Sequence, residues 1–181
     1  MAREANQSQM NISIELVHAR DDALAGALAA LALDAVAHGA SVGWLADLTT
    51  DDAAHWARGV LADVGGDIAL WVARVDGRIV GTVQYERCAK PNGRHRAEVR
   101  KLLVHSAWRR HGVGARLMRA LEATAHDAGI ELLHLDTSAG SSAEALYASL
   151  GWTRSGEIPH FAAMSDGEIK PTAIWWKRLR G

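Results

Sequence analysis

AEVRKLLV (97–104) reads as a strand, and it runs into RRHGVGARLM (109–118), where two glycines two apart stand in a basic loop ahead of a helical pattern. From Gly112 the spacing of Val113, Leu117, Leu121 and Thr124 gives one apolar helical face and leaves Arg116 and Arg119 to water; Gly129 ends the helix. ELLHLDT (131–137) is then a short, largely apolar strand. A right-handed crossover through the helix places that strand parallel to the first, so the chain must build a sheet with at least one parallel pair.

The flanking sequence fills in the remaining elements. Ile12, Ile14 and Leu16 alternate with polar residues as a strand does, and Asp21 opens an alanine- and leucine-rich helix that runs to about His38 and Gly39. A second helix is capped near Thr50 or Asp51 and closes near Gly65 and Gly66. IALWVARV and RIVGTVQYERC flank Asp76 and Gly77, a two-residue hairpin signal. Ser141 and Glu144 form an S-x-x-E capping box for a helix carrying Tyr147 and ended at Gly151, after which WTRSGEI and PTAIWWKRL are two closing strands. The order β-α-α-β-β-β-α-β-α-β-β predicts an α/β (α+β) fold, a mixed sheet with helices on both faces.

At 181 residues the chain fits one domain, predicted over 11–181 behind a disordered lead-in at 1–10. Twenty Lys and Arg against 21 Asp and Glu give no reason to expect a nucleic-acid or membrane surface. No run approaches the roughly 18 apolar residues of a membrane span, and a cytoplasmic protein is expected. A single cysteine, Cys88, excludes an intrachain disulfide and a Cys-cluster metal site, and it is expected as a thiol buried in a strand. Nine histidines show no H-E-x-x-H or comparable spacing, so no metal is expected. The adjacent tryptophans of PTAIWWK point to opposite strand faces, so either one is exposed and supports a homodimer or both faces are covered within the monomer; the first is the expectation.

A strand, a glycine loop and a helix N-terminus bring unpaired backbone N–H groups and a positive dipole end to one point, where an anion belongs. Arg109 and Arg110 add charge there, and Gly112 and Gly114 lack the Cβ atoms that would hold a phosphate away. The loop has no GK[ST] of a Walker motif, and no G-x-G-x-x-G with an acidic residue about 20 positions on. What remains is R-x-x-G-x-G, from Arg109 to Gly114.

That pattern, together with A-L-Y-A-S-L-G-W (145–152), resembles the GCN5-related N-acetyltransferase (GNAT) family, and element order extends the likeness over nearly the whole chain. The resemblance implies a single-domain, mostly antiparallel sheet splayed between its fourth and fifth strands. It implies acetyl-CoA as cofactor, with coenzyme A as product. By resemblance the pyrophosphate falls to Arg109, Arg110, His111, Gly112, Val113, Gly114 and Ala115, and the pantetheine arm to Leu102, Leu103 and Val104. Ser141 stands where the family often carries an Asn that contacts coenzyme A, although capping explains the serine equally well. GASVGWLADL, KPNGRHRAEVRKLL, LLHLDTSAGS and PTAIWWK are similar to segments of the family's tabtoxin-resistance branch, which implies a small amino-acid-like β-lactam toxin, or another antibiotic, as acceptor.

Acetyl transfer to an amine needs a base for the amine proton, polarisation of the thioester carbonyl and an acid for the thiolate. Glu98 lies six residues before Val104, roughly 20 Å along an extended strand and near where the arm would carry its thioester. The family's histone-modifying branch has its glutamate base at this spacing, which implies that role for Glu98; otherwise it is a rim carboxylate paired with Arg96 or Arg100. Asp136, in an apolar strand, either binds or deprotonates the substrate ammonium or has a structural partner such as His134 or Thr137. Tyr147 matches the family's general acid. Trp44, Asp47, Gln84, Glu86 and His160, with Pro159 and Phe161, are expected around the acceptor. A peptide or protein amine, or a coenzyme A sensor without turnover, are the alternative readings.

Overall fold

The computed structural model describes residues 11–18 and 21–179; the lead-in expected at 1–10 lies outside them. β1 (Ile12–Leu16) leads to α1 (Asp22–Ala37) and α2 (Thr50–Asp63). The Asp21 carboxylate accepts from Leu24 N at 2.7 Å and caps α1. α2 begins one residue earlier than its sequence suggests, because Thr49 takes the capping role and accepts from Asp52 N.

β2 (Ile68–Val75) and β3 (Arg78–Arg87) form the hairpin, with Asp76 and Gly77 both at positive φ (48° and 78°) as a two-residue turn of this hand requires. β4 (Arg96–Val104), α3 (Val113–Asp127) and β5 (Leu132–Ser138) make the crossover, and α4 (Ser142–Ser149), β6 (Thr153–Ala163) and β7 (Ile169–Arg178) complete the chain. The seven strands lie in the order β1-β2-β3-β4-β5-β7-β6, and only β4 with β5 runs parallel.

Alternation along β2 divides the core. Leu70 and Vals such as Val72 meet α1 and α2 on one face; Trp71 and Ala73 meet α3 on the other. α3 buries Val113, Leu117, Met118, Leu121 and Ala125. Ala125 therefore takes the place expected of Thr124, which is half-buried and donates its hydroxyl to Ala120 O. Cys88 lies just past the end of β3 rather than within a strand, half-buried against Gly93. A Cβ on Gly93 would lie 2.5 Å from the Cys88 sulfur, so the turn closes only around a glycine. Among the described residues, no helix is long and apolar enough to cross a membrane.

Two irregularities of β4 shape everything that follows. β4 and β5 pair only at Arg96–Leu132, Ala97–Leu133 and Glu98–His134, and then separate. Across the other edge, Gln84 pairs with Arg100 and Thr82 with Leu103, so Lys101 and Leu102 together face Val83. This is a bulge, and Lys101 carries its strain at φ 51°.

Candidate active site

A cleft of about 890 Å³ opens where β4 and β5 part. Glu98, at the last paired position, and residues 99–104 form one wall; Leu135, Asp136, Thr137 and Ser138 of β5 form the other. β4 stays paired with β3 and β5 with β7 on their far edges, so past Glu98 and His134 both strands present unpaired edges to the gap, that of β4 running on to Val104.

Above that edge lies the glycine loop. Trp108, Arg109, Arg110, Gly112, Val113, Gly114 and Ala115 all line the cleft. Arg110 and Gly112 are in the left-handed region (φ 65° and 78°), and Gly112 begins α3 with no side chain capping it. Unclaimed amide donors of the first turn suit an anion. Gly114 serves a different end: a Cβ there would lie 3.3 Å from Leu146 Cδ2, so its absence lets α4 approach the loop. His111 turns away from the cleft, with its Nδ1 donating to Arg109 O at 2.8 Å and its ring beside Trp108.

The three groups expected to act on the acetyl group reach the same cleft. Glu98 accepts from Arg100, which also donates to Glu86. Asp136 Oδ2 lies 2.9 Å from Thr172 Oγ1. Thr172 is thus its structural partner, in place of the expected His134 or Thr137; its hydroxyl is also 2.9 Å from Thr137 O, and one proton serves one acceptor at a time. Tyr147 is buried against Trp152 and Trp175, ring centroids 5.9 and 6.2 Å away. Burial pushes its phenol above the ordinary value, and the charge of Asp136 adds to the push.

His134, the register partner of Glu98, accepts from Arg96 Nη1 at 3.3 Å. Burial lowers its pKa, as do Arg96 and Arg100, against the opposing pull of Glu98 and Asp136. Ser141 lines the cleft, but the expected capping box does not form. Glu144 Oε1 reaches past Ser141 to accept from Gly140 N at 2.7 Å, and Ser141 Oγ makes no capping bond, lying instead 3.4 Å from Thr137 Oγ1.

The expected acceptor residues are less gathered. Trp44 and Asp47 line a separate recess of about 390 Å³ with Trp56 and His55. Gln84 is buried across from Arg100, with Oε1 finding no partner among the described residues. Glu86 is paired with Arg100, and His160 is exposed at φ 55° in the bulged part of β6. Phe161 does line the cleft, with Met164, Lys170 and Thr172.

Lys101 also lines it, and no local pattern in the sequence marked it. Its ammonium donates to Val42 O and lies 4.3 Å from the Trp44 ring centroid, tying the α1–α2 loop to the bulge. Burial lowers its pKa, helped by Arg100 and opposed by Asp136. Among the described residues, no group of three or more His, Cys, Asp or Glu is arranged to hold a metal ion.

Comparison with known proteins agrees with this geometry. Residues 66–154, from the β2–β3 hairpin to the start of β6, match the acetyltransferase (GNAT) domain family. An uncharacterized N-acetyltransferase from the hisH–hisA intergenic region of Azospirillum brasilense is 29% identical over 145 residues, 79% of each chain. The structure of yncA from Salmonella typhimurium, solved with its cofactor acetyl-CoA, superposes with a TM-score of 0.76 at 21% identity over 94% of this chain and 95% of its own. A ribosomal-protein-alanine N-acetyltransferase from Brucella melitensis gives 0.71 at 24% identity over 91% and 99%. The structural likenesses are to the fold; the chain carries an acetyltransferase (GNAT) domain over residues 66–154, which contains the unpaired β4 edge and the uncapped glycine loop, and it is an acetyl-CoA-dependent N-acetyltransferase of the GNAT type.

Proposed function

We propose that this protein moves the acetyl group of acetyl-CoA to the primary amine of a small, amino-acid-like acceptor, a tabtoxinine-type β-lactam or a related toxin or antibiotic. The observation that carries the reading is the meeting, on one cleft, of the unpaired edge of β4, the uncapped start of α3 and the carboxylate of Glu98.

Acetyl-CoA supplies an acetyl thioester, and the residues of this chain fit its three parts. Arg109, Arg110, Gly112, Val113, Gly114 and Ala115 hold the pyrophosphate through charge and backbone amides, with His111 bracing the loop from outside through Arg109 O. Leu102, Leu103 and Val104 offer the pantetheine arm the backbone groups that β5 leaves unpaired, and a backbone N–H of this stretch polarises the thioester carbonyl. The Ser141 hydroxyl, not spent on the helix cap, contacts the arm.

In the transfer, Glu98 takes the proton that the amine sheds as its nitrogen bonds to the acetyl carbon, and Tyr147 supplies a proton to the departing sulfur. That phenol is protonated at neutral pH, as an ordinary phenol is, and burial with the Asp136 charge makes it the weaker acid, so its proton moves only as charge builds on the sulfur. Asp136 receives the acceptor ammonium, and Lys170 faces its carboxylate at the mouth of the cleft. Trp44 and Asp47 border the path beyond Lys101, His160 its outer rim, and Gln84 and Glu86 stand behind Arg100.

Release of free coenzyme A from acetyl-CoA, compared for tabtoxinine-β-lactam, lysine, a polyamine and a basic peptide, tests the reading. Turnover with the β-lactam above the others is expected. Turnover with the peptide alone would overturn the small-molecule acceptor, and bound acetyl-CoA with no turnover on any of them would remove the acceptor class altogether.

A further inference from the structure

Asp34 lies in the last turn of α1, where a carboxylate faces the negative end of the helix dipole. Its side chain is only 12% exposed, so its place is explained by partners rather than by water. Those partners belong to the segment that joins β4 to the glycine loop. Ser106 donates its backbone N–H to Oδ2 and its hydroxyl to Oδ1, both at 2.7 Å. Arg109 Nη2 is 3.9 Å from Oδ2, while Arg109 Nε donates to Val104 O at 3.2 Å.

We propose that Asp34 is a positioning residue for the cofactor: by clamping Ser106 and drawing in Arg109, it fixes the 106–108 turn so that the loop amides and the guanidinium converge on the pyrophosphate. The inference rests on the assignment of that loop to coenzyme A. The turn is short and irregular, and its internal bonds are few: Trp108 N donates to His105 O, Ala107 N to His105 Nδ1, and Arg109 N to Ser106 O at a long 3.4 Å. A two-point carboxylate contact from α1 supplies the external constraint that such a turn needs. Burial works against the Asp34 charge, but the two Ser106 bonds and the neighbouring His105 and His38 hold its carboxyl below the ordinary range. The acceptor end of the cleft is untouched by this clamp, so its loss should weaken cofactor binding without moving the groups that face the acetyl carbon.

Calorimetric titration of coenzyme A into the wild type, Asp34→Ala, Ser106→Ala and the double variant tests this, with melting temperatures measured alongside. About a tenfold rise in Kd is expected for Asp34→Ala, a smaller rise for Ser106→Ala, and a double variant no weaker than Asp34→Ala, because both changes open one contact. Asp34→Asn, which keeps the volume and one acceptor oxygen, gives an intermediate Kd and serves in its place should the alanine variant not fold. A Kd within twofold of the wild type in both Asp34 variants, or strictly multiplicative effects in the double variant, would overturn the inference. Failure of the wild type itself to bind coenzyme A would instead overturn the loop assignment.

Discussion

Glu122 accepts the indole proton of Trp152 at 2.7 Å, and its second oxygen accepts from Lys177 Nζ, also at 2.7 Å. The fixed indole packs against Tyr147, and Trp175, whose Nε1 donates to Glu144, packs against the same phenol ring. Two carboxylate-held tryptophans thus set the attitude of Tyr147. Trp152→Phe keeps an aromatic ring and removes the N–H, leaving Glu122 with Lys177. Loss of one charge-assisted hydrogen bond in a half-buried setting is expected to cost about 1–2 kcal/mol in urea unfolding. A several-fold fall in kcat with unchanged coenzyme A binding is expected beside it, and loss of binding instead would show that the indole supports the loop rather than Tyr147.

Tyr147 and Tyr85 are the only tyrosines, and burial raises both phenols, that of Tyr147 by much the more. In Tyr85→Phe, which leaves Tyr147 as the one reporter, spectrophotometric titration should show tyrosinate appearing together with unfolding rather than before it. Asp136→Asn removes a charge that disfavours the phenolate, so the Tyr147 pKa should move down, toward the ordinary value. A tyrosinate signal before unfolding in Tyr85→Phe would contradict the burial of Tyr147.

The elements legible in the sequence were those specified by local chemistry. Asp76-Gly77 named its own turn, and the apolar stripe from Val113 to Leu121 named the buried side of α3. The loop followed from its glycine pattern, Glu98 and Tyr147 from the family resemblance and Asp136 from its place in an apolar strand, and the three carry side chains to the cleft that the loop borders. Asp34 was not legible, because its two bonds to Ser106 reach across 72 positions. Lys101 owes its position to a bulge, which depends on the pairing of β3 with β4 rather than on its neighbours in sequence. Trp44 lies in a recess apart from the cleft, and its ring meets the ammonium of the cleft-lining Lys101. Ser141 and Glu144 matched a local pattern that Arg154 and Trp175 override by drawing Glu144 elsewhere.

His134 should carry part of the acid sensitivity of the fold. Its folded pKa lies below the unfolded value near 6.5, so between the two the unfolded chain binds more protons and stability rises with pH. Acidification through that window therefore destabilises the native state. His134→Gln should lessen the drop in urea midpoint between neutral pH and about one unit below 6.5. By NMR, the His134 ring should titrate below the ordinary value near 6.5. An imidazole at 134 titrating above that value would mean that Glu98 outweighs burial.

The division of labour between the two carboxylates is open to a direct comparison. Glu98 ends the paired part of β4 and is held by Arg100, whereas Asp136 lies on the opposite wall with Thr172. Glutamine at 98 can still accept from Arg100 but cannot take a proton, so Glu98→Gln isolates the basic function. A loss of 10²- to 10⁴-fold in kcat/KM is expected, in the range for removal of a positioned general base. Melting temperature and coenzyme A binding should stay near wild type. Asp136→Asn should raise the KM for the acceptor about tenfold or more with a smaller effect on kcat, as expected for a charge that holds the ammonium. The reverse pattern, with kcat collapsing in Asp136→Asn and kcat/KM near wild type in Glu98→Gln, would transfer the base to Asp136 and leave Glu98 as the rim partner of Arg100.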